Sequence, residues 1–271
     1  MTQSQVLRTL KTPRILSIAN QKGGVGKTTT AINLATALAA VGKRVLLVDL
    51  DPQGNASTGL GVRRSMIRKS SYDLIFDDYH PQDIAVKTRV PNLFVVPSSI
   101  HLSGAEIELV NTENREYRLR RTLRQAHGYD YVILDCPPSL SLLTLNALVA
   151  SDSVVVPLQC EFYALEGLSQ LVKTIERVQR SLNPQLDIHG VVLTMYDQRN
   201  NLSAMVENDV REYFGDKVYK TIIPRNVRLS EAPSYGLPAI VYDMKCAGAK
   251  AYLSLAKEVI RREKKYLKEA A

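Results

Sequence analysis

Short, nearly all-apolar runs alternate along this chain with longer segments rich in good helix formers, and the alternation holds from residue 14 almost to the end. Arg14-Ile-Leu-Ser-Ile-Ala19 and Arg44-Val-Leu-Leu-Val48 have the apolar character of strands buried on both faces. Between them, residues 28–40 are dense in Ala, Leu and Ile and read as a helix that stops near Gly42. Strand, glycine-rich turn, helix and strand make a βαβ unit, whose parallel strands need a right-handed crossover. Further strands are predicted at residues 93–96, 131–134, 153–157 and 188–194, with helices at 103–110, 117–126, 140–150 and 164–181. Beyond Met195 the pattern predicts a helix at 202–214, a short strand at 218–221 and a loop studded with Pro224, Pro233 and Pro238. A last helix runs from 248 towards 268. The expected fold is doubly wound α/β: a mostly parallel sheet with helices on both faces. Residues 1–13 read as a flexible extension and 14–271 as one domain, with no repeat, low-complexity tract or long linker.

Composition adds limits. The 45% hydrophobic share is that of a globular protein, and no run of about 18 apolar residues suggests a membrane span. Met1 to Arg14 lack the apolar centre of a secretory signal, so a cytoplasmic location is expected. Cys136, Cys160 and Cys246 lie far apart without metal-binding spacing and read as free thiols. The net charge of +8 favours a polyanionic partner without saying whether it is nucleic acid or acidic lipid.

The sharpest chemical signal is Lys22-Gly23-Gly24-Val25-Gly26-Lys27-Thr28-Thr29, set between a strand and a helix. A triphosphate needs many donors packed closely around it. Glycines let the backbone approach, and their N–H groups point inward at a helix N-terminus whose dipole favours anions. Gly23, Gly24, Val25, Gly26 and Thr29 would wrap the phosphates, Lys27 would neutralise the β- and γ-phosphates, and the Thr28 hydroxyl would coordinate Mg²⁺. ATP and Mg²⁺ are the expected ligands of this P-loop NTPase. The ordinary pattern has glycine five residues before its last one, where this chain has Gln21, followed by Lys22.

That Lys22 variant resembles the deviant Walker A box of the ParA/MinD/nitrogenase-iron-protein class. The resemblance implies that Lys22 reaches across a dimer seam to the partner's nucleotide, with Gly23 close to the seam, so that a weak hydrolysis depends on dimerisation. Strand two ends in Val48-Asp49-Leu50-Asp51-Pro52, and ligands gather beyond the carboxyl ends of parallel strands. By its place in the motif, Asp51 is the candidate for positioning the attacking water, and Asp49 for supporting the magnesium shell or the loop. Val132-Ile-Leu-Asp135 resembles a Walker B strand whose Asp135 holds Mg²⁺ through water.

Within the class, the chain resembles the Soj/ParA partition ATPases from about residue 15 to 260. The specific blocks are Ala19 through Thr30, Asp49 through Gly61, Asp135 through Leu140, and Ile223-Pro-Arg-Asn-Val-Arg-Leu-Ser-Glu-Ala-Pro-Ser234. By resemblance, Pro224, Arg225 and Asn226 line the adenine pocket, and Arg199 and Arg228 match positions of non-specific DNA binding. Guanidinium groups on exposed loops suit phosphate oxygens without reading bases, and Lys217, Lys220, Lys245 and Lys250 are candidates to widen the surface. The resemblance further implies a homodimer in the ATP state, double-stranded DNA on the nucleoid, and a ParB-type centromere-binding partner that stimulates hydrolysis. The alternative is a MinD-like membrane-cycling ATPase. Its lipid-binding helix is poorly matched by the charged C-terminal end, where Tyr252, Leu255, Val259 and Tyr266 read as core, and no stable membrane association is expected. The cysteine settings do not suit a bridging iron–sulfur cluster.

Overall fold

The computed structural model describes residues 12–269, with side chains to residue 264. The expected flexible extension thus falls outside the described residues but for its last two positions, and Tyr266 is likewise outside the described side chains. The chain runs through β1 (Arg14–Ile18), α1 (Lys27–Ala40), β2 (Val45–Asp49), α2 (Asn55–Gly59), α3 (Ser71–Phe76), α4 (Pro81–Ile84), β3 (Val86–Lys87) and β4 (Leu93–Val96). Next come α5 (Leu102–Val110), α6 (Arg118–Leu123), β5 (Tyr131–Asp135), α7 (Leu142–Ala150), β6 (Ser153–Gln159), α8 (Ala164–Ser181) and β7 (Asp187–Thr194). The last elements are α9 (Asn201–Phe214), α10 (Val227–Glu231), α11 (Ala239–Tyr242) and α12 (Ala247–Glu269).

The strands form one sheet in the order β3-β4-β2-β5-β1-β6-β7, parallel except for β3 against β4. Successive side chains of a strand point to opposite faces, so each buried strand feeds two cores. Ile15, Leu46, Val48, Val132, Leu134 and Val154 pack on one face against Leu143 of α7 and Leu168 and Leu171 of α8. Leu16, Ile18, Val45, Leu47, Ile133 and Val155 pack on the other against Leu34 and Leu38 of α1 and Tyr252, Leu255 and Val259 of α12. Each such side chain contributes about 1.5–3 kcal/mol. The apolar stripe of α12 is therefore spent on the core. No helix among the described residues is long and apolar enough to cross a membrane.

Two expectations fail locally. The strand predicted at 218–221 makes only one isolated bridge, Val191 to Val218. The reason lies in α12: Glu258 accepts from the N–H groups of Lys220 and Thr221, and Arg262 donates to the carbonyls of Lys217 and Val218. Side chains replace the missing strand neighbour. The proline loop is not open either, since α10 and α11 lie within it, with Pro238 as the residue that precedes α11. The short helices α2, α3 and α4 fill the stretch between residues 50 and 92, for which the pattern predicted no element.

Candidate active site

Parallel register brings the chemistry together. Asp135 at the end of β5 is paired with Ile18 at the end of β1 on one side and with Asp49 at the end of β2 on the other. The glycine loop leaves β1 at this same end of the sheet and turns back into α1. Gly24 and Gly26 hold φ of +78° and +86°, where a side chain would be strained, and a Cβ on Gly23 or Gly24 would meet nothing within 4 Å. Open space above a backbone at a helix N-terminus is what a phosphate needs. Thr194, the last residue of β7, donates its hydroxyl to the Val25 carbonyl at 2.8 Å and anchors the loop. Lys27 is buried, and its ammonium donates to the Lys22 carbonyl at 2.7 Å. Burial pulls its pKa down, with the charges of Asp135, Cys136 and Asp51 offsetting part of that.

The two strand-end acids differ in what they touch. Asp49 accepts from the Ser57 hydroxyl at 2.6 Å, the Ser57 N–H at 2.8 Å and the Asp51 N–H at 3.2 Å. Burial raises its pKa to about 6 against these bonds. Asp135 is also fully buried, yet neither carboxylate oxygen has a hydrogen-bond partner of ordinary geometry. Burial and then the Asp49 charge push its pKa well up, and the neighbouring Thr28 hydroxyl and Lys27 offset this only in part. An unsatisfied, desolvated carboxylate beside a threonine hydroxyl fits a hydrated divalent cation, whose charge would restore the ionised form. Among the described residues no group of three or more His, Cys, Asp or Glu side chains is placed to hold a metal ion. Asp51 stands one loop further out, its carboxylate accepting from the Gln53 N–H at 2.9 Å and its carbonyl from Ser98 at 2.6 Å.

Beyond Gly26 and Thr29 opens a cavity of about 530 Å³ lined by Gln159, Met195, Pro224, Arg225, Asn226 and Tyr252, among others. Asn226 Oδ1 is buried and unpartnered. Gln159, Thr194 and Met195 were not singled out from the sequence, and Tyr252 was read there only as core. The signal for Met195, a φ of +50° in a non-glycine residue at a strand end, exists only in three dimensions.

The basic candidates fall into three groups. Arg199 and Arg225 face a common cleft with Tyr196, Ala247 and Ala251, the last two flanking the exposed Lys250 on α12. Arg199 is 89% exposed and holds Asp197 in a two-pronged contact at 3.0 and 2.9 Å, which drops the Asp197 pKa to about 2. Arg228 pairs with Glu231 at 2.8 Å and Asp243 at 3.7 Å, near the exposed Lys245. Lys217 and Lys220 flank the Val191–Val218 bridge, midway down β7 from the Tyr196–Pro224 bridge. That offset is about 17 Å along a strand. Lys217 is also paired with Asp187 at 2.5 Å. The free thiols of Cys136 and Cys160 are buried, and burial pushes that of Cys160 up to about 12.

A family model described as an AAA domain matches residues 13–188. The chain is 62% identical to the chromosome partitioning protein ParA of Caulobacter vibrioides over 95% of its own length and 98% of that protein's. It is 53% identical to the chromosome-partitioning ATPase Soj of Treponema pallidum, covering 92% of this chain and 98% of the other. Among solved structures it superposes on a Mycobacterium smegmatis protein described as cobyrinic acid a,c-diamide synthase, with bound ATP analogue and magnesium. That match has a TM-score of 0.81 at 40% identity and covers 93% and 96% of the two chains.

Proposed function

Since the chain belongs to the ParA/Soj family of chromosome-partitioning ATPases, we propose that it runs a DNA-loading cycle timed by ATP. It is an ATPase whose ligands are ATP and Mg²⁺. In the proposed cycle, Lys27 leaves the Lys22 carbonyl for the β- and γ-phosphates, and the N–H groups from Gly23 to Thr29 close around them. Thr28 and Asp135 would hold a hydrated Mg²⁺, whose charge would neutralise the phosphate oxygens. Asp49, committed to Ser57 and the Asp51 backbone, fixes the loop on which Asp51 positions the attacking water. Pro224, Arg225 and Asn226 take the adenine. Two such subunits close face to face, and Lys22 of each completes the other's site.

The observation that carries the nucleotide reading is the unpartnered carboxylate of Asp135, buried beside Thr28 at the mouth of an open glycine loop. The DNA reading draws on Arg199, in the turn after β7 and sharing a cleft with Arg225, and on Arg228, exposed on α10. The dimer coats nucleoid DNA through this surface, and a ParB-type partner stimulates hydrolysis and release. The test is DNA binding with ATP, ADP and no nucleotide, for wild type and Arg228→Glu, across ionic strengths. Tight, sequence-independent, salt-sensitive binding with ATP alone, removed by Arg228→Glu, supports the cycle. No DNA binding in any state, with ATP-dependent binding to acidic liposomes instead, overturns it in favour of the membrane-cycling alternative.

A further inference from the structure

Lys22 is held on its own subunit. Its ammonium is paired with Glu161 in the turn after β6. The backbone beneath it is fastened to the same region of the fold. Asn20 Nδ2 donates to the Pro157 carbonyl at 2.8 Å, and Asn20 Oδ1 accepts from the Lys22 N–H at 3.0 Å. Gln21 Nε2 donates to the Gly167 carbonyl and to Gln170 Oε1, each at 2.9 Å. The Lys22 carbonyl is meanwhile the seat of the Lys27 ammonium. Phosphate arriving at Lys27 vacates that carbonyl, but it leaves the Glu161 pair untouched.

Glu161 leads directly into Phe162 and Tyr163, which are 77% and 63% exposed, with rings in edge contact at a centroid distance of 5.1 Å. Two large aromatic side chains in water beside the phosphate loop are surface that a second copy, closing face to face, would cover. The same approach brings the partner's γ-phosphate to compete with Glu161 for one ammonium.

We infer that Glu161 is a positioning residue for ATP hydrolysis: it keeps Lys22 folded onto its own subunit until the dimer closes, and so sets the basal turnover. The inference rests on the reading of Lys22 as a lysine that acts in the partner's site. Both partners of the pair are about one-third exposed. An exposed pair shifts an equilibrium by at most about fivefold, and salt screens it.

The experiment compares ATP turnover of wild type and Glu161→Gln without DNA or partner protein, over a range of protein concentrations and from about 0.05 to 0.3 M ionic strength. The inference expects turnover about two- to fivefold higher in the variant at low salt. It also expects the ratio to fall towards one as salt rises, a convergence that a merely structural role for Glu161 would not produce. Equal or lower turnover in a variant with unchanged melting temperature and ATP affinity overturns it. Mixing Lys22→Ala with Asp51→Ala subunits tests the premise separately. In a mixed dimer one site has both an intact Asp51 and a Lys22 supplied by its partner, so activity returns if Lys22 acts in the partner's site. Failure of that complementation sinks the premise and the inference together. Complementation with a silent Glu161→Gln sinks the inference alone.

Discussion

Asn226 offers the cleanest quantitative test of the nucleotide site. Its side-chain oxygen is buried at the wall of the 530 Å³ cavity and has no partner. A buried neutral acceptor left unpaired costs about 1–3 kcal/mol, and a ligand that supplies a donor recovers most of it. The amide edge of asparagine matches the amino and ring-nitrogen edge of adenine. Guanine places a carbonyl where adenine has its amino group and sets acceptor against acceptor. A difference of one such hydrogen bond corresponds to a preference for ATP over GTP of about 10- to 100-fold. Asn226→Leu removes the orphan acceptor while keeping the branched heavy-atom shape. ATP affinity is expected to fall about tenfold, with GTP affinity unchanged or slightly improved, so the selectivity collapses. The assay is calorimetric or fluorescence titration of Mg-ATP and Mg-GTP on both proteins at concentrations low enough to keep them monomeric. Thermal melts check that the fold survives. A variant that still prefers ATP by the wild-type ratio would show that the base does not read Asn226, and the adenine would have to be placed elsewhere.

Asp135→Asn is expected to abolish the stabilisation that Mg-ATP gives in thermal melts, yet to raise the ligand-free melting temperature. The sign follows from burial: its folded pKa lies above the unfolded value, so its charge destabilises the ligand-free fold as pH rises, and the amide removes that penalty. Glu263 has the opposite sign. Burial alone would raise it, but His189 at 2.9 Å and Arg14 at 2.9 Å outweigh burial and hold its pKa below the usual carboxylate value. The stability it contributes is present above the unfolded pKa of about 4.5 and is lost as pH falls through the lower folded value. Urea midpoints between pH 6 and 3 should therefore decline more steeply in wild type than in Glu263→Gln, and parallel curves would refute this. Asp197→Asn frees the Arg199 guanidinium and should tighten DNA binding by about two- to fivefold at low salt, read by fluorescence anisotropy. Unchanged affinity would remove Arg199 from the DNA surface.

The sheet was legible because β1, β2 and β5 are runs of apolar residues long enough to declare themselves, and the phosphate loop because glycine, lysine and threonine fall at fixed offsets between two such elements. Residues 50 to 92 were not, because helices of four to six residues carry too little periodicity to register. One of them did leave a mark. Ser70 and Asp73 form a reciprocal capping box at the start of α3, a spacing visible in the chain before any fold is known. The strand expected at 218–221 had the right composition and lost its ladder to Glu258 and Arg262, about 40 residues away, which no local window contains. Within the site, the asymmetry between Asp49 and Asp135 was equally hidden: both end apolar strands, and only the fold ties one to Ser57 and leaves the other beside Thr28 without a well-formed hydrogen bond.

A net charge of +8 says nothing about where cations stand or what already neutralises them. Arg199 carries Asp197, and Arg228 carries Glu231 and Asp243. In the proposed cycle a DNA phosphate would take each guanidinium from a carboxylate of its own chain, so one anion would be exchanged for another and the gain per arginine would be small. Affinity would then have to come from the number of contacts made at once. Salt-dependent binding multiplies over the phosphates engaged, and a second subunit held rigidly to the first adds its contacts at high effective concentration. On the proposed cycle, weak individual arginines would make an assembly-dependent switch sharper, because a single subunit would bind too poorly to blur it. Stronger, unpaired cations would hold DNA in every nucleotide state, and hydrolysis would then release nothing.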